Sequence, residues 1–316
     1  AGRLLEAGVN FSVVTREISA GDRSLPRGSL VVLKGNNKAD LERTLERIGG
    51  DLGVEMVPID SGWSGTTTFG SERVRFVRDP KIGLVGGSGV SPTSFGMLWH
   101  TLDVDTPVPH TVLSLEALAN LDLSRNRVLV FPDGGGYADR LGKKGTERLQ
   151  QWVRDGGTIV AIKGASAYLR SKDVEISKLR PWEPPKPKEG EQPQDLRYNE
   201  FRVPGSAFRT VMNERSFLTL GLPRPPAVLV EGSEAYLPMT HKIDNILTID
   251  SKDPLLSGVA WPESIDRLKG SPWVVSEPYG RGQVITFADD PHFRLFWRGT
   301  LPLFLNAVLY GPSFPR

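Results

Sequence analysis

Short runs dominated by apolar residues recur along the middle and end of the chain, at Ile82–Gly86, His110–Leu115, Arg127–Pro132, Thr158–Ile162 and Gln283–Ala288. Little polar alternation interrupts most of them, which predicts strands buried on both faces. Between them, apolar positions recur at helical spacing in Ser94–Leu102, Lys144–Asp155 and Gly164–Arg170. The last periodic stretch, Phe293–Leu309, gathers Phe296, Leu301, Leu303, Phe304, Ala307 and Val308 on one broad face. Strand and helix in turn predict a parallel sheet covered on both sides. The last strand and helix are expected to join residues 80–170 in that sheet, despite the long stretch between.

The remaining segments read differently. Residues 1–70 predict a small α/β unit and linker. Its strands are Val9–Val14, Ser29–Leu33 and Val54–Ile59, its helix Ala39–Ile48 ends at Gly49-Gly50, and Gly62–Gly70 is a loop. Residues 71–316 then form the larger domain. A Pro-rich, charged insertion at about 171–200 breaks it, and Arg180–Glu191 buries too little there to be more than a mobile surface segment. Residues 201–282 carry β-like runs at Ala227–Val230, Ile243–Ile249 and Trp273–Glu277, and Gly280-Arg281-Gly282 predicts a hairpin turn. For the larger domain this gives a flavodoxin-like doubly wound α/β fold.

Composition narrows the function. The 316 residues have a formal net charge of +2, with basic residues spread among acids, so no nucleic-acid partner is expected. No stretch is apolar and long enough to predict a membrane span. The absence of cysteine removes disulfides, thiolate metal sites and a cysteine nucleophile. The chain opens on Ala1 within what reads as the end of an amphipathic helix, so it is expected to be a piece of a longer polypeptide.

Two turns are candidates for chemistry. Arg127–Asp139 leaves a strand through Pro132-Asp133-Gly134-Gly135-Gly136, where glycines let the backbone approach a ligand closely. Gly157–Leu169 passes from a strand through Lys163-Gly164-Ala165 into a helix. Lys163 reads either as an amine of lowered pKa acting as nucleophile or base, or as a surface lysine at a position whose original function has decayed. The second is preferred because no base or cofactor motif lies beside it. Asp289 or Asp290 is expected to cap the last helix, with His292 in its first turn. Gly87-Ser88-Gly89 is half of a dinucleotide fingerprint, but Pro92 stands at the third glycine position, so a tight turn is the better reading. Its helix N-terminus could hold an anion. His100 reads as a packed helix residue, His110 starts a strand, and His241 with Asp244 is only a pair, so no metal site is expected.

Gly157–Leu169 resembles the nucleophile turn of class I glutamine amidotransferases, in which a cysteine occupies the turn, a small residue follows two later and a leucine six later. Leu169 and the small Gly164 and Ala165 match; Lys163 stands at the nucleophile position. Arg127–Asp139 resembles the family's Pro-Gly-Gly turn, which implies a remnant oxyanion turn at Gly134 and Gly135. His292 falls near the family's histidine, without its His-Pro-Glu order. The resemblance thus implies an amidotransferase-like fold with its catalysis deleted. A remnant pocket of Asp133, Gly134, Gly135, Lys163 and Gly164, with free backbone N–H groups, is expected to bind a small anion. The alternative is a stand-alone hydrolase using Lys163, Ser166 or His292.

Two further segments are Pro80–Ser91 with Phe95–Asp103, and Gly280–Pro291 with Phe293–Thr300 and Asn306-Ala307. They resemble the amidotransferase-like C-terminal region of large secreted bacterial zinc carboxypeptidases. This implies a non-catalytic accessory or ligand-binding region whose partner is an upstream peptidase domain of the same polypeptide, secreted or periplasmic. No His-x-x-Glu pair occurs in the chain, so no cofactor is expected here and the zinc of such a parent lies upstream.

Overall fold

The computed structural model describes residues 1–20, 23–62, 68–184 and 201–315. Its centre is an eight-stranded sheet: β1 (Ile82–Gly86), β2 (His110–Ser114), β3 (Val128–Phe131), β4 (Thr158–Ile162), β5 (Thr210–Met212), β6 (Asn245–Ile249), β7 (Pro272–Tyr279) and β8 (Gly282–Phe287). The strand order is β5-β6-β7-β8-β4-β3-β1-β2. From β8 to β2 all neighbours are parallel. From β8 to β5 the pairing is antiparallel. The parallel half has the order of a flavodoxin-like sheet, with β8 as its fifth strand. Gln283 pairs with Thr158 and Phe287 with Ile162, so the last strand joins the sheet begun at residue 82, as its apolar pattern predicts.

Side chains alternate between two cores. One side of the sheet sends Leu84, Val130, Ile162 and Phe287 toward α1 (Pro92–His100) and α4 (Leu301–Tyr310). The other sends Val85, Phe131, Ala161 and Val284 toward α2 (Tyr137–Arg154) and α3 (Ala165–Leu169). Burial on both faces explains why β1, β3, β4 and β8 read as apolar runs. β2 departs from that expectation: it is the edge strand, none of its residues is buried, and Val112 is exposed. The buried Leu4, Phe11, Val13, Leu41 and Ile48 of the first 70 residues belong to the same core as Ile82 and Leu84. Among the described residues, no helix is long and apolar enough to cross a membrane.

Several expected elements shift for local reasons. α1 starts at Pro92 instead of Ser94, because Ser91 accepts the Ser94 N–H at 3.3 Å and a proline suits the first helical turn. α2 starts at Tyr137 instead of Lys144, with a non-helical break at Gly142. α4 starts at Leu301, so Asp289 and Asp290 cap nothing; Phe293–Leu295 is a separate 3-10 turn preceded by His292. In the N-terminal unit a short helix spans Gly2–Glu6, and the helix expected at Ala39–Ile48 runs Leu41–Leu52, through Gly49-Gly50, and stops at Gly53, where φ is 62°. Val54–Ile59 forms no strand and leaves Val54 and Met56 exposed; Val74–Phe76 takes its place, antiparallel to Ser12–Val14. Residues 63–67 of the expected loop and 185–200 of the Pro-rich insertion lie outside the described residues.

The described start of that insertion is packed and not a mobile surface. Pro181 bridges to Tyr236, the Trp182 N–H donates to the Ala235 carbonyl at 2.9 Å, and the Trp182 ring packs on Phe201 at 5.0 Å. Residues 201–282 do not stand apart either. They supply β5 to β7 and a second sheet, in which Val203–Phe208 lies between Val228–Gly232 and Leu255–Ser257.

The β7–β8 hairpin closes through Gly280, whose φ of 62° suits the first loop position of a type II′ turn. At Gly282 a methyl group would collide with the carbonyl oxygens of Val153 and Gly157. Both are backbone and cannot rotate away. Gly282→Ala is expected to destabilise the fold by about 3 kcal/mol, read as a fall in urea midpoint with unchanged slope.

Candidate functional site

The exits of β1, β3, β4 and β8 meet at the carboxyl edge of the parallel sheet, where ligands bind in doubly wound folds. Three of the four turns touch backbone to backbone. A Cβ on Gly134 would lie 2.5 Å from the Gly89 oxygen, and one on Gly164 would lie 2.7 Å from both the Gly134 oxygen and an Asp133 carboxylate oxygen. The glycines are therefore needed for packing between turns. The Gly135 and Gly136 N–H groups both donate to the Gly89 carbonyl at 3.1 Å. The free donors expected of a remnant oxyanion turn are thus committed within the protein at these two residues.

Lys163 sits where the sequence places it, between β4 and α3, with φ at +45°. An L-residue there is strained, and persists only where its surroundings over-determine it. The Lys163 N–H donates to the Phe287 carbonyl at 2.9 Å. Its Nζ donates to Asp289 Oδ1 at 2.8 Å and lies 4.0 Å from Asp290 Oδ2. Burial works to lower this amine's pKa, but Asp289, Asp290 and Asp133 together outweigh it and hold the pKa above its ordinary value. The lowered pKa required of a nucleophile or base is the reverse of what this turn produces. Nor is Lys163 the surface lysine expected: its side chain is only 17% exposed and paired with a buried carboxylate.

The carboxylates are placed by backbone donors and one serine. Asp289 Oδ2 accepts the Glu231 N–H at 2.7 Å, and Oδ1 accepts the Asp290 N–H at 2.8 Å. Burial raises the Asp289 carboxyl, and the ammonium and these donors limit the rise. Ser94 Oγ donates to Asp290 Oδ1 at 3.0 Å and accepts the Asp133 N–H at 3.1 Å. Asp133 Oδ1 accepts the Gly164 N–H at 2.9 Å. Burial first, and then the charge of Asp289, pushes Asp290 up to about 6. Three carboxylates thus surround one ammonium. That charge balance disfavours the small anion expected here, and a five-residue α3 adds little dipole to offset it.

The other expected residues lie elsewhere in the network. His292 is 2% exposed; its Nε2–H donates to the Met97 carbonyl at 2.9 Å and its ring lies 5.9 Å from that of Phe304. Burial lowers its pKa, so it is a neutral packed ring. Ser166 Oγ shares a 2.8 Å hydrogen bond with the buried Tyr236 hydroxyl, which burial makes a far weaker acid than usual. At the first turn, Glu116 Oε1 accepts the Ser88 N–H at 2.9 Å, and a Cβ on Gly87 would meet Glu116 Oε2 at 2.6 Å. Glu116 thus holds the turn before α1, and at the helix N-terminus itself Ser91 takes the Ser94 N–H. Among the described residues, His241 is exposed beside a buried Asp244, and no three metal-capable side chains gather.

Sequence reasoning overlooked Ser94, Glu116 and the pairing of Asp289 and Asp290 with Lys163. The adjacent acids after the last buried strand were the available signal. In a doubly wound sheet, strands four and five exit side by side, so a charge after one faces a charge after the other.

No protein-family model matches the chain, and no curated protein matches it. Among solved structures it is similar to a cytoplasmic protein from Salmonella typhimurium, at 15% identity over 75% of this chain and 99% of that one, with a TM-score of 0.47. It is also similar to a ThuA-like protein from Parabacteroides merdae, at 15% identity over 75% and 91%, with a TM-score of 0.49. A third is a protein from Thermoplasma acidophilum named as a subunit of GMP synthase, at 12% identity over 73% and 94%, with a TM-score of 0.41.

The two charge types at this edge predict opposite mutant effects. Asp290, raised from 3.8 to about 6, keeps its proton in the folded chain after the unfolded chain has lost it. Stability therefore falls as pH rises from about 4 to 6, by about 3 kcal/mol, and the deficit persists above pH 6. Asp290→Asn is expected to raise the denaturant midpoint at pH 7.5 and to flatten that part of the pH profile. Lys163→Met leaves Asp289 buried without its partner and is expected to lose about 3 kcal/mol at the same pH. Paired denaturant titrations at pH 4.5 and 7.5 read both.

Proposed function

We propose that this chain is a non-catalytic domain on a class I glutamine amidotransferase-like frame. In this reading it is an accessory or ligand-binding region of a larger zinc carboxypeptidase-like protein, with the catalytic domain and its zinc outside this sequence. One observation carries the loss of catalysis: the residue at the nucleophile turn keeps the left-handed backbone, but its amine is fixed to Asp289 at 2.8 Å. An ammonium has no lone pair with which to attack, and deprotonating this one leaves Asp289 and Asp290 unopposed.

The other two candidates for a hydrolase are tied up as well. Ser166 is bonded to a tyrosine, not to a base, and His292 presents its N–H to a carbonyl. A nucleophile, its base and an orienting group in hydrogen-bond reach define a triad, and these side chains are bonded elsewhere. The accessory role rests on the resemblance of Pro80–Asp103 and Gly280–Ala307 to the C-terminal region of the carboxypeptidases. A ligand at this edge must supply donors to Asp133 and Asp290, because Lys163 already serves Asp289.

Pure protein is expected to release no ammonia from glutamine between pH 6 and 9. Release that disappears in Lys163→Arg, a variant that keeps the charge opposite Asp289, would overturn the reading. The full reading frame tests the second half: it is expected to encode a zinc carboxypeptidase domain upstream, and a frame without one removes the accessory role.

A further inference from the structure

The parallel sheet has a second opening, at the amino ends of its strands. The crossover from β2 to β3 contains only a four-residue helix, Leu115–Leu118, and one 3-10 turn, Leu123–Arg125. A crossover of this length lays no full helix over the sheet. It leaves a cavity of about 570 Å³ beside the starts of β1 and β2, within the range of small-molecule sites. Leu113 and Leu121 give it an apolar lining, and Lys81, His110 and Arg125 give it basic groups.

Lys81 is the unexpected residue. Its φ is +43°. Its carbonyl accepts from the Arg127 N–H at 3.2 Å and from Asn126 Nδ2 at 3.1 Å, and its own N–H donates to Asp79 Oδ1 at 3.2 Å. Three contacts thus hold a lysine in a conformation that glycine adopts without strain. Its ammonium has no ion-pair partner among the described residues. The acids lining the cavity are engaged locally: Asp79 accepts the Lys81 N–H, and Asp122 Oδ1 accepts the Ser124 N–H at 3.0 Å while Oδ2 lies 3.9 Å from Arg125 Nε. His110 bonds to the Val108 carbonyl at 2.9 Å through Nδ1, which leaves Nε2 available.

We propose that this cavity binds a small organic carboxylate with an apolar body, the carboxylate on Lys81 and the body against Leu113 and Leu121. The site is independent of the carboxyl-edge cluster, so it stands or falls apart from the reading given for that edge.

Calorimetric titration of the whole chain with benzoate tests it, with benzamide as the uncharged probe of the same shape. Benzoate is expected to bind saturably at one site, about tenfold tighter than benzamide, as one charge-assisted hydrogen bond allows. Lys81→Gly is expected to lose about that tenfold preference without lowering Tm, because glycine accepts the same backbone. Lys81→Gln, which keeps the side-chain volume, loses it too and replaces the glycine variant should that one fail to fold. Lys81→Arg retains it. No saturable benzoate binding at millimolar concentration, equal binding of the two probes, or native binding in Lys81→Gln overturns the proposal.

Discussion

The contact between Lys163 and Asp289 joins the two strand exits on which this fold turns. β4 and β8 lie more than a hundred residues apart in sequence yet run side by side, and everything between them has to be routed back to the sheet. Their register is set by apolar pairing along the strands, which costs no specific chemistry. The carboxyl edge is different. There the chain brings a cation and three acids out of water, and the arrangement holds because backbone donors from Glu231, Asp290 and Gly164 reach the carboxylates. A buried charge loses more from an absent partner than it gains from a present one. The pair is therefore better described as a constraint on geometry than as a source of stability.

That constraint explains how a strained turn outlives the chemistry it would serve in an enzyme. A left-handed residue between strand and helix presents its side chain above the sheet edge, which suits a nucleophile. It equally suits a lysine that must reach the exit of the neighbouring strand. The φ of +45° at Lys163 is held from one side by the Phe287 carbonyl and from the other by Asp289. The glycines of the adjoining turns follow from closeness: Gly89, Gly134, Gly136 and Gly164 lie too near one another's backbone for any Cβ. A glycine-rich turn at a sheet edge is thus not by itself evidence of an anion site, since the same residues satisfy a packing demand.

The inner strands of the parallel sheet were legible because burial on both faces leaves its mark on every residue of a strand. β1 and β4 begin and end where the apolar runs do. Helix starts were less legible: Pro92 and Tyr137 begin helices through capping and a glycine break, which alter dihedrals without altering hydrophobic period. Strand Val74–Phe76 was missed because its pairing with Ser12–Val14 rests on contacts sixty residues away, and two of its three residues are exposed. For the candidate site, the position of Lys163 was readable and its protonation was not. The latter depends on three carboxylates from two other turns, and sequence order gives no distances between them.

Lys81 and Lys163 make an informative pair. Both are lysines in a region favoured by glycine, one at each end of the same sheet. At Lys163 the side chain explains the strain, because the buried Asp289 needs a cation and the Lys163 ammonium supplies it at 2.8 Å. At Lys81 the backbone contacts with Asp79, Asn126 and Arg127 could all be made by glycine. Among the described residues, no ion pair requires an ammonium there. The same backbone feature thus has an internal cause at one end and none at the other, and that asymmetry is what directs attention to the amino edge for a ligand.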